Sequence, residues 1–402
     1  MEVAAKSFNV VVVGAGEINF GSREGSWNHT RRLEALLGHQ LLVVALVDPN
    51  LERARGRIAD KRASQERHVA AAWAATEAFA DVASAGHCLT TVPGRNIDLV
   101  VLGCPPHFRG TTLKGSDTDV EALSVFGYRA RTFLVEKPIA ALDPVAGQCE
   151  KVVNLFSAWQ QRSRGFVGVG YMLRYLKAVT KMQEILEANQ LVPTCINARY
   201  FMAYPEAQKL AWWNKAASCG PIVEQATHFC DLIRFFAGVD NDALLETVRA
   251  TAVEHSDEAG RLSRLAFDEE AAVAAQDRVP RVTTAFWRHR RGTIASLCHG
   301  ITLHSGAYDT QIELLADGWV MRLKDAYTRS PSLSIRGPHS EKEDIVTFKD
   351  DDPFTTQLEA LVYAVRGLQK PGLPSWPLSS FEDAFKTYEL TWQIRRASER
   401  DR

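Results

Sequence analysis

The sequence predicts an α/β protein with a doubly wound parallel sheet, followed by an α+β domain built on a large, open, mostly antiparallel sheet. Two observations predict this fold. In the first part of the chain, short apolar runs alternate with helical stretches and end in polar or Gly/Pro turns, which is typical of parallel sheets covered by helices. Beyond about residue 150, strand-like runs are joined by turns such as Arg291-Gly292 and Asp317-Gly318, which is typical of antiparallel hairpins.

Four buried strands are predicted in the parallel sheet, because short continuous apolar runs fit strands that are covered on both faces. A helix is predicted at Arg31–Leu37, ending at Gly38, and an alanine-rich helical stretch from about Leu51 to Ala85. Ligands bind such sheets at the carboxyl ends of the strands, so the turns that follow the strands form the candidate site. The predicted strands are Phe8–Val13, Leu41–Val47, Ile97–Leu102 and Thr132–Val135.

The second half of the chain is predicted to hold a separate domain and two closing helices. We expect a first domain of residues 1–150, a second domain of residues 151–380, and a C-terminal helix, residues 381–402, that packs back on the first domain. The charged stretch Ser256–Pro280 is predicted to be an insertion that carries a surface helix. Other helices are predicted near Tyr175–Ala188, Phe354–Leu368 and Phe381–Ala397, and strands at Gly165–Gly170, Cys195–Met202, Thr247–Glu254, Val282–Trp287, Thr293–His299, Gln311–Leu315, Trp319–Lys324 and Asp344–Phe348.

Composition and charge argue against several classes of protein. The formal net charge of −1 at pH 7 gives no electrostatic basis for binding nucleic acid or an anionic membrane. No window approaches the ~20 apolar residues of a membrane helix, and the first residues run into a strand too soon for a signal peptide. The seven cysteines are scattered without a C-x-x-C pair, which predicts reduced thiols in a cytoplasmic protein and no zinc site.

The first buried strand ends in a glycine turn that predicts dinucleotide binding. Gly14 would make the tight turn, and Gly16, with Glu17 beside it, would let the backbone approach a pyrophosphate at a helix N-terminus. Asn19 stands where a third glycine is usual. The polar stretch Ser26–His29 then delays the predicted helix, so we expect a turn longer than the standard one. A plain strand-to-helix turn is the alternative for this segment taken alone.

An acidic residue at the end of the second strand supports the same site. Asp48 is placed to hydrogen-bond the adenosine ribose hydroxyls and to repel a 2′-phosphate, which favours NAD over NADP. In the alternative interpretation, Asp48 only caps the helix that follows Pro49. NADP is not excluded, because Arg53 and Arg55 could hold a phosphate.

The fourth strand ends in Glu136-Lys137-Pro138. With this motif the chain resembles the glucose–fructose oxidoreductase, inositol dehydrogenase and rhizopine-catabolism family, whose hallmark is Glu-Lys-Pro after this strand. The resemblance implies an NAD(P)-binding Rossmann domain with Glu136 in the cofactor site, and a cis peptide bond before Pro138 that would aim Lys137 at the nicotinamide. The resemblance spans nearly the whole chain, and its other segments are Gly103–His107, Gly170–Tyr175, Gly220–Gly238 and Glu382-Asp383-Ala384.

Lys137 is predicted to be the general acid/base. Hydride transfer to or from a carbon that bears oxygen needs a proton donor or acceptor on that oxygen. A lysine that is partly desolvated beside a cationic ring releases its proton more readily than one in water, so it can serve. The alternative is a surface lysine that merely ends a strand. Its place beside Pro138, at the carboxyl edge of the sheet, favours the functional interpretation.

A second group of polar residues lies in the segment Gly220–Gly238, which is predicted to be one helix. Glu224 and His228 are four residues apart and Asp231 follows three later, so one helix face would carry all three. The family usually has Asp-x-x-x-His here, with the histidine next to the substrate and the lysine. His228 matches this pattern, whereas Glu224 is longer than aspartate by one methylene. We expect catalytic roles for His228 and Glu224, and a substrate contact for Asp231.

Two other interpretations of this group stay open. Glu224 could be a first-turn acid that is favourable to the helix dipole, with His228 a buried, hydrogen-bonded core residue. The pattern Glu-x-x-x-His could also bind a divalent metal ion, but a third ligand at suitable spacing is lacking, so no metal is predicted.

Six further residues are predicted to line the site. The paired tryptophans could stack on a sugar ring or an aromatic substrate, or they could equally pack in the core. Pro105 and His107 are expected at the nicotinamide end of the cofactor, and Tyr171, Arg174, Trp212 and Trp213 in the substrate cleft.

The sequence thus predicts an oxidoreductase that transfers hydride between NAD, or NADP, and a secondary alcohol or ketone of a sugar, cyclitol or related polyol. Two other functions stay open. The same fold resembles fungal galactose-regulon repressors, which bind the dinucleotide and act as protein-binding sensors, and the tryptophan pair could accommodate an imine, enone or tetrapyrrole-like substrate. The family resemblance also implies a homodimer or homotetramer that forms through the C-terminal sheet.

Overall fold

The computed structural model describes residues 7–22, 25–90, 96–304 and 308–400. The chain divides into two compact units, one of Met1–Gly170 with Phe354–Phe385 and the other of Tyr171–Pro353 with Lys386–Arg402. The boundary after the first sheet therefore lies at Gly170 and not near residue 150.

The first unit contains a six-stranded, wholly parallel sheet in the order β3-β2-β1-β4-β5-β6. Its central strands consist of branched apolar side chains that solvent does not reach, as expected where helices cover both faces. This confirms the predicted doubly wound sheet. The strands are β1 Phe8–Val13, β2 Leu41–Val47, β3 Glu77–Phe79, β4 Leu99–Leu102, β5 Thr132–Val135 and β6 Phe166–Val169, and the helices are α1 Glu17–Phe20, α2 His29–Leu37, α3 Leu51–Arg62, α4 Arg67–Trp73, α5 Val82–Thr90, α6 Thr118–Phe126, α7 Gln148–Ser163 and α14 Pro353–Arg366.

Two features of this sheet differ from the sequence prediction. The predicted strand Gly165–Gly170 falls in the predicted second domain, whereas β6 pairs in parallel with β5, with Thr132 opposite Phe166. Its buried apolar residues make it the edge strand of the first sheet. The stretch from Leu51 to Ala85, predicted to be helical, is broken by β3, a strand too short to show a period of its own.

The second unit is built on an eight-stranded sheet in the order β14-β13-β12-β11-β7-β10-β9-β8. Only β7 and β10 pair in parallel, and the other neighbouring strands of this sheet pair antiparallel. This confirms the predicted large, mostly antiparallel sheet. The strands are β7 Cys195–Ala203, β8 Ala243–Val253, β9 Val282–His289, β10 Ile294–Leu303, β11 Asp309–Ala316, β12 Trp319–Lys324, β13 Ser332–Arg336 and β14 Asp344–Thr347, and the helices are α8 Lys177–Ala188, α9 Leu210–Trp213, α10 Lys215–Ser218, α11 Gly220–Glu224, α12 Thr227–Ala237 and α13 Glu269–Ala272.

The predicted insertion Ser256–Pro280 is tied to the second unit by arginines. It carries α13, a helix of four residues, and Glu269 in this helix forms a buried ion pair with Arg281. Arg278 donates from Nε to the carbonyl of Val273 at 2.9 Å. The insertion is therefore held against the unit by buried charges as well as by the chain itself.

The last helix, α15 Phe381–Arg400, is shared between the two units. The ring of Phe381 stacks on that of Phe156 in α7, with centroids 4.9 Å apart. From Lys386 onward the helix groups with the second unit, where the Lys386 amine lies 2.9 Å from a carboxylate oxygen of Asp242. In the part of the chain that the structure describes, no helix is long and apolar enough to span a bilayer.

Candidate functional site

The turn after β1 depends on glycine. Gly14 has φ of +100°, its N–H donates to the carbonyl of Val47 at 2.7 Å, and a Cβ atom there would lie 2.9 Å from the Cys104 backbone nitrogen. Gly16 precedes α1, which begins at the half-buried Glu17, and a Cβ on Gly16 would meet no heavy atom within 4 Å. The turn is thus closed toward the sheet and open on its outer side, which fits the close approach of a dinucleotide pyrophosphate.

Asn19 takes the place of the usual third glycine and is fully buried. Its side-chain amide donates to the carbonyl of Gly14 at 2.7 Å, and its own carbonyl accepts from the Thr30 hydroxyl at 2.8 Å. A Cβ on Gly103, at the end of β4, would lie 2.4 Å from the Asn19 amide nitrogen. The predicted delay of the longer helix is confirmed, because α2 begins at His29. The segment before it is not one turn, because the four-residue helix α1 begins directly after Gly16.

Asp48 is buried behind the glycine turn, with 3% of its surface exposed. Its carboxylate accepts from the backbone N–H groups of Ala15 at 2.7 Å and Asn50 at 2.9 Å, and from Nη2 of Arg53 at 2.8 and 2.9 Å. The cap of α3 is Asn50, whose side chain accepts from the Arg53 N–H. Asp48 therefore does not cap that helix, and it joins the turn to an arginine that is about half exposed.

The turn after β4 places His107 beside a buried arginine. His107 lies in the 3₁₀ turn Pro106–Phe108 and is exposed, as is Pro105 before it. Arg109 is buried and donates from Nε to the carbonyl of Cys104 at 3.0 Å. Partial desolvation of the ring, together with the positive charge of Arg109, lowers the pKa of His107. The ring is therefore a neutral hydrogen-bonding group at neutral pH.

The turn after β5 carries a buried carboxylate next to the predicted acid/base. Lys137 is half-buried, its peptide bond to Pro138 is cis, and its N–H donates to Oε2 of Glu136 at 3.3 Å. Oε1 of Glu136 lies 2.7 Å from Nε2 of His29, and both side chains are buried. A Cβ on Gly170 would lie 2.6 Å from this carboxylate. The pairing of His29 with Glu136 was not predicted, because no spacing in the sequence links α2 to the end of β5.

The segment that carries Glu224 and His228 is two helices and not one. α11 ends at Glu224 and α12 begins at Thr227. The carbonyl of Pro221 accepts from the N–H groups of Gln225 at 2.9 Å and of Ala226 at 3.0 Å, which closes α11. The prediction that Glu224 and His228 share a face through helical periodicity is therefore wrong.

Aromatic side chains surround both residues within the second unit. The ring of His228 has edge contacts with Tyr171, at 5.9 Å between centroids, and with Tyr327, at 6.0 Å. Nε1 of Trp212 donates to Oε2 of Glu224 at 3.3 Å. His228 is buried, whereas Glu224 and Trp212 are half-buried. His228, Glu224 and Trp212 thus lie among aromatic side chains of the second unit.

Arg174 and Asp231 form a buried, bidentate ion pair. Nε and Nη2 of the arginine each lie 2.7 Å from a carboxylate oxygen, and the Thr387 hydroxyl donates to the same carboxylate at 3.3 Å. In the same region the Tyr171 hydroxyl lies 2.8 Å from that of Thr227. The pair therefore fixes the segment after β6 against α12, and the predicted substrate contacts of Arg174 and Asp231 stay predictions.

The two tryptophans differ in burial. Trp213 is fully buried, donates from Nε1 to the carbonyl of Ala207 at 2.8 Å, and has an edge contact with Phe267 at 5.8 Å. Its indole ring is thus occupied by protein contacts. Trp212 meets Trp213 edge to face at 5.2 Å, and its half-buried ring is the one with surface left for a ligand.

A tyrosine cluster next to Glu224 was not predicted. The ring centroids of Tyr200, Tyr308 and Tyr327 lie 5.3 to 5.9 Å apart. Burial raises the pKa of Tyr200 and Tyr327 well above the ordinary value, and the neighbouring tyrosines and the charge of Glu224 raise it further. The ring of His299 packs edge-on against Tyr200 at 5.0 Å. Tyr308 and Tyr327 follow no periodic pattern in the sequence. The alternation of buried and more exposed residues within β7 is the signal that could have placed Tyr200 in the interior.

The predicted site residues thus fall into two groups. Gly14, Gly16 and Asp48 lie together in the first unit, which also holds Lys137, and His228 belongs to the second unit. The pairing of Lys137 with His228 stays a prediction. Among the described residues, no three His, Cys, Asp or Glu side chains are grouped so that they could hold a metal ion.

Two family models match the chain. An oxidoreductase family with an NAD-binding Rossmann fold matches residues 8–171, and an oxidoreductase C-terminal domain matches residues 174–319. An uncharacterized protein of Schizosaccharomyces pombe is 38% identical over 96% of this chain and 95% of its own length.

Solved structures share the whole fold at low sequence identity. A UDP-N-acetylglucosamine 3-dehydrogenase from Acidithiobacillus ferrooxidans has a TM-score of 0.65 at 15% identity, covering 98% of both chains. A 3-ketoreductase from Actinomadura kijaniata in complex with NADP has a TM-score of 0.60 at 14% identity, covering 98% of both chains. A super-repressor mutant of Gal80p from Saccharomyces cerevisiae has a TM-score of 0.70 at 12% identity, covering 98% of this chain and 96% of the other.

Proposed function

The chain belongs to the glucose–fructose oxidoreductase, inositol dehydrogenase and rhizopine-catabolism family of NAD(P)-binding oxidoreductases, and we propose that it transfers hydride between a nicotinamide and a secondary alcohol or ketone of a sugar, cyclitol or related polyol. The observation that carries this proposal is the environment of Lys137. It is half-buried at the carboxyl end of β5, beside the buried carboxylate of Glu136, and ligands of such sheets bind at this edge.

Each polar residue has a distinct role in the proposed reaction. The bound dinucleotide supplies or accepts the hydride. Lys137 gives a proton to the substrate oxygen during reduction and takes it during oxidation. His228 orients the reacting hydroxyl, and Glu224 accepts a hydrogen bond from a neighbouring substrate hydroxyl. The neutral hydroxyls of the tyrosine cluster (Tyr200, Tyr308 and Tyr327) and the ring of Trp212 suit a substrate with both polar and apolar faces.

We infer a preference for NAD from the environment of Asp48. Its negative charge lies directly behind the glycine turn and would repel a 2′-phosphate. The nearest cation, Arg53, is bonded to this carboxylate through Nη2. A 2′-phosphate would therefore bring a second negative charge to this carboxylate and compete with it for Arg53, whereas the ribose hydroxyls are neutral.

The proposal is tested by following nicotinamide absorbance across a panel of polyols and ketones, with both cofactors. Lys137→Ala should lower kcat by about 10²- to 10⁴-fold, the usual contribution of a positioned acid/base, while the dissociation constant for NAD(H) changes little. Lys151→Ala is the matched control, because Lys151 is an exposed lysine of α7 in the same unit. Equal activity of the Lys137 variant and the wild type would refute the role of this lysine.

The same panel separates the alternative functions. Tight dinucleotide binding without turnover of any alcohol or ketone would favour a regulatory protein, a class suggested by the fold shared with Gal80p. Turnover confined to imines or enones would instead favour the third alternative.

We also propose that copies of the chain associate through the open face of the eight-stranded sheet. Phe286 on β9 and Ile294 on β10 are 55% and 45% exposed. Their strands are hydrogen-bonded neighbours, with Phe286 opposite Ser296 and Arg288 opposite Ile294, so both side chains point from the same face. Large apolar side chains exposed together on a sheet are favourable in a subunit contact.

A further inference from the structure

His29 and Glu136 form a buried pair that no motif of the sequence indicated. His29 lies in the first turn of α2 and is fully buried, and Glu136 is 5% exposed at the end of β5. The distance from Nε2 of His29 to Oε1 of Glu136 is 2.7 Å. A buried carboxylate is costly unless donors satisfy it. In the described part of the chain its donors are this imidazole and the backbone N–H of Lys137.

The other side of the imidazole defines which nitrogen carries the proton. Nδ1 of His29 is buried without a hydrogen-bond partner among the described residues, and the ring has an edge contact with Phe354 at 5.9 Å. An N–H at this position would be an unsatisfied donor against an aromatic ring, whereas a bare nitrogen costs less. The neutral tautomer with its proton on Nε2 therefore fits, and the pair keeps the net negative charge of the carboxylate.

The position of this charge suggests what it does. Glu136 ends β5, on the far side of β4 from the glycine turn, and the nicotinamide half of a dinucleotide binds on that side of a doubly wound sheet. Oxidised nicotinamide is cationic and reduced nicotinamide is neutral, so a fixed carboxylate nearby favours the oxidised form.

We propose that His29 is a positioning residue that holds the Glu136 carboxylate in place, so that the site binds oxidised nicotinamide more favourably than the reduced form. This rests on the proposed function in one respect only, that the carboxyl end of β5 receives the nicotinamide. Without the imidazole, the carboxylate loses a hydrogen-bond donor and is free to turn away, so its charge no longer lies beside the nicotinamide site.

The test measures dissociation constants for the oxidised and the reduced dinucleotide at pH 8, by calorimetry and by reduced-nicotinamide fluorescence, using whichever of NAD(H) and NADP(H) binds more tightly. His29→Leu should raise the ratio of oxidised to reduced dissociation constants by about fivefold or more, the order expected for one partly screened charge. His29→Gln keeps a donor in place of Nε2 and should restore the ratio largely to the wild-type value. His39→Leu is the matched control, because His39 is an exposed histidine in the 3₁₀ turn that directly follows α2.

Glu136→Gln provides a second route to the same answer, since it removes the charge and keeps the shape even if His29→Leu does not fold. It should raise the ratio as His29→Leu does, and adding His29→Leu to it should change the ratio no further. A merely structural role for His29 predicts that both dissociation constants rise by the same factor, and that result would overturn the inference. An unchanged ratio in Glu136→Gln would overturn it as well.

These measurements need no substrate, so the two proposals fail separately. A wild-type protein that binds both dinucleotide forms but turns over nothing in the panel would contradict the proposed reaction and leave the ratio interpretable. A wild-type protein that binds neither form would overturn both proposals.

Discussion

The buried imidazole of His299 should make the second unit less stable on acidification. Burial lowers the pKa of His299 from 6.5 to about 3. The side chain is 2% exposed, and its Nε2 has no hydrogen-bond partner in the described part of the chain. The folded protein therefore excludes a proton that the unfolded chain binds below pH 6.5. Because the unfolded state then holds more protons, the free energy of unfolding falls as the pH decreases between 6.5 and about 3.

The size of this effect follows from the shift. Each pH unit below 6.5 removes about 1.4 kcal/mol, so the loss from His299 alone should reach about 3 kcal/mol at pH 4.5. His299→Phe keeps an aromatic ring against Tyr200 and removes the titrating group. Every other group titrates alike in both proteins, so the variant should gain about 3 kcal/mol relative to the wild type between pH 7 and pH 4.5.

Urea unfolding at a series of pH values, followed by tryptophan fluorescence, measures this difference. The exposed His39 supplies the control variant His39→Phe, whose stability should keep the pH dependence of the wild type. Parallel pH profiles for His299→Phe and the wild type would refute the reasoning, since they would mean that the folded protein accommodates a charged imidazole at this position.

Two further predictions concern the cofactor and the assembly. Asp48→Asn keeps an acceptor for the Ala15 N–H, but it removes the negative charge and frees Arg53 for a phosphate. The ratio of the NADP to the NAD dissociation constant should therefore fall by about 10- to 100-fold, the range of one charge-assisted hydrogen bond. An unchanged ratio in calorimetry would mean that Asp48 does not face the ribose. Phe286→Lys should shift the protein toward monomers, as measured by light scattering coupled to gel filtration. The midpoint of thermal unfolding of the variant should stay within a few degrees of the wild-type value. A wild-type protein that is already monomeric at high concentration would contradict the proposed contact.

The sequence predicted the parts of the fold that rest on long periodic patterns. β1, β2 and β5 match the predicted strands in full, because uninterrupted branched apolar runs have few alternatives to a buried parallel strand. β3 was missed since three residues carry no periodicity. β6 was placed in the wrong domain because an apolar edge strand of one sheet has the same local pattern as a strand of another, and only its pairing with β5 distinguishes them.

The candidate site was predictable where the chain itself creates the constraint. Gly14 and Lys137 sit at turns whose residue types are dictated locally. The His29–Glu136 pair joins residues 107 positions apart, and no local pattern specifies such a contact. Trp213 was predicted to line the substrate cleft and is buried in the core. An aromatic pair looks the same in sequence whether a ring contacts a ligand or fills the core.

The departure from the glycine fingerprint shows why position alone is a poor guide to such a site. The third glycine of the motif provides close packing of the first helix on the sheet, and Asn19 has replaced it here. The space is supplied by Gly103 instead, where any Cβ would overlap the Asn19 amide. The amide in turn satisfies the carbonyl of Gly14, which no glycine could do. The small residue is therefore needed at Gly103, at the end of β4, and not in α1. The helix still packs closely on the sheet, and the Asn19 amide adds one hydrogen bond to the turn.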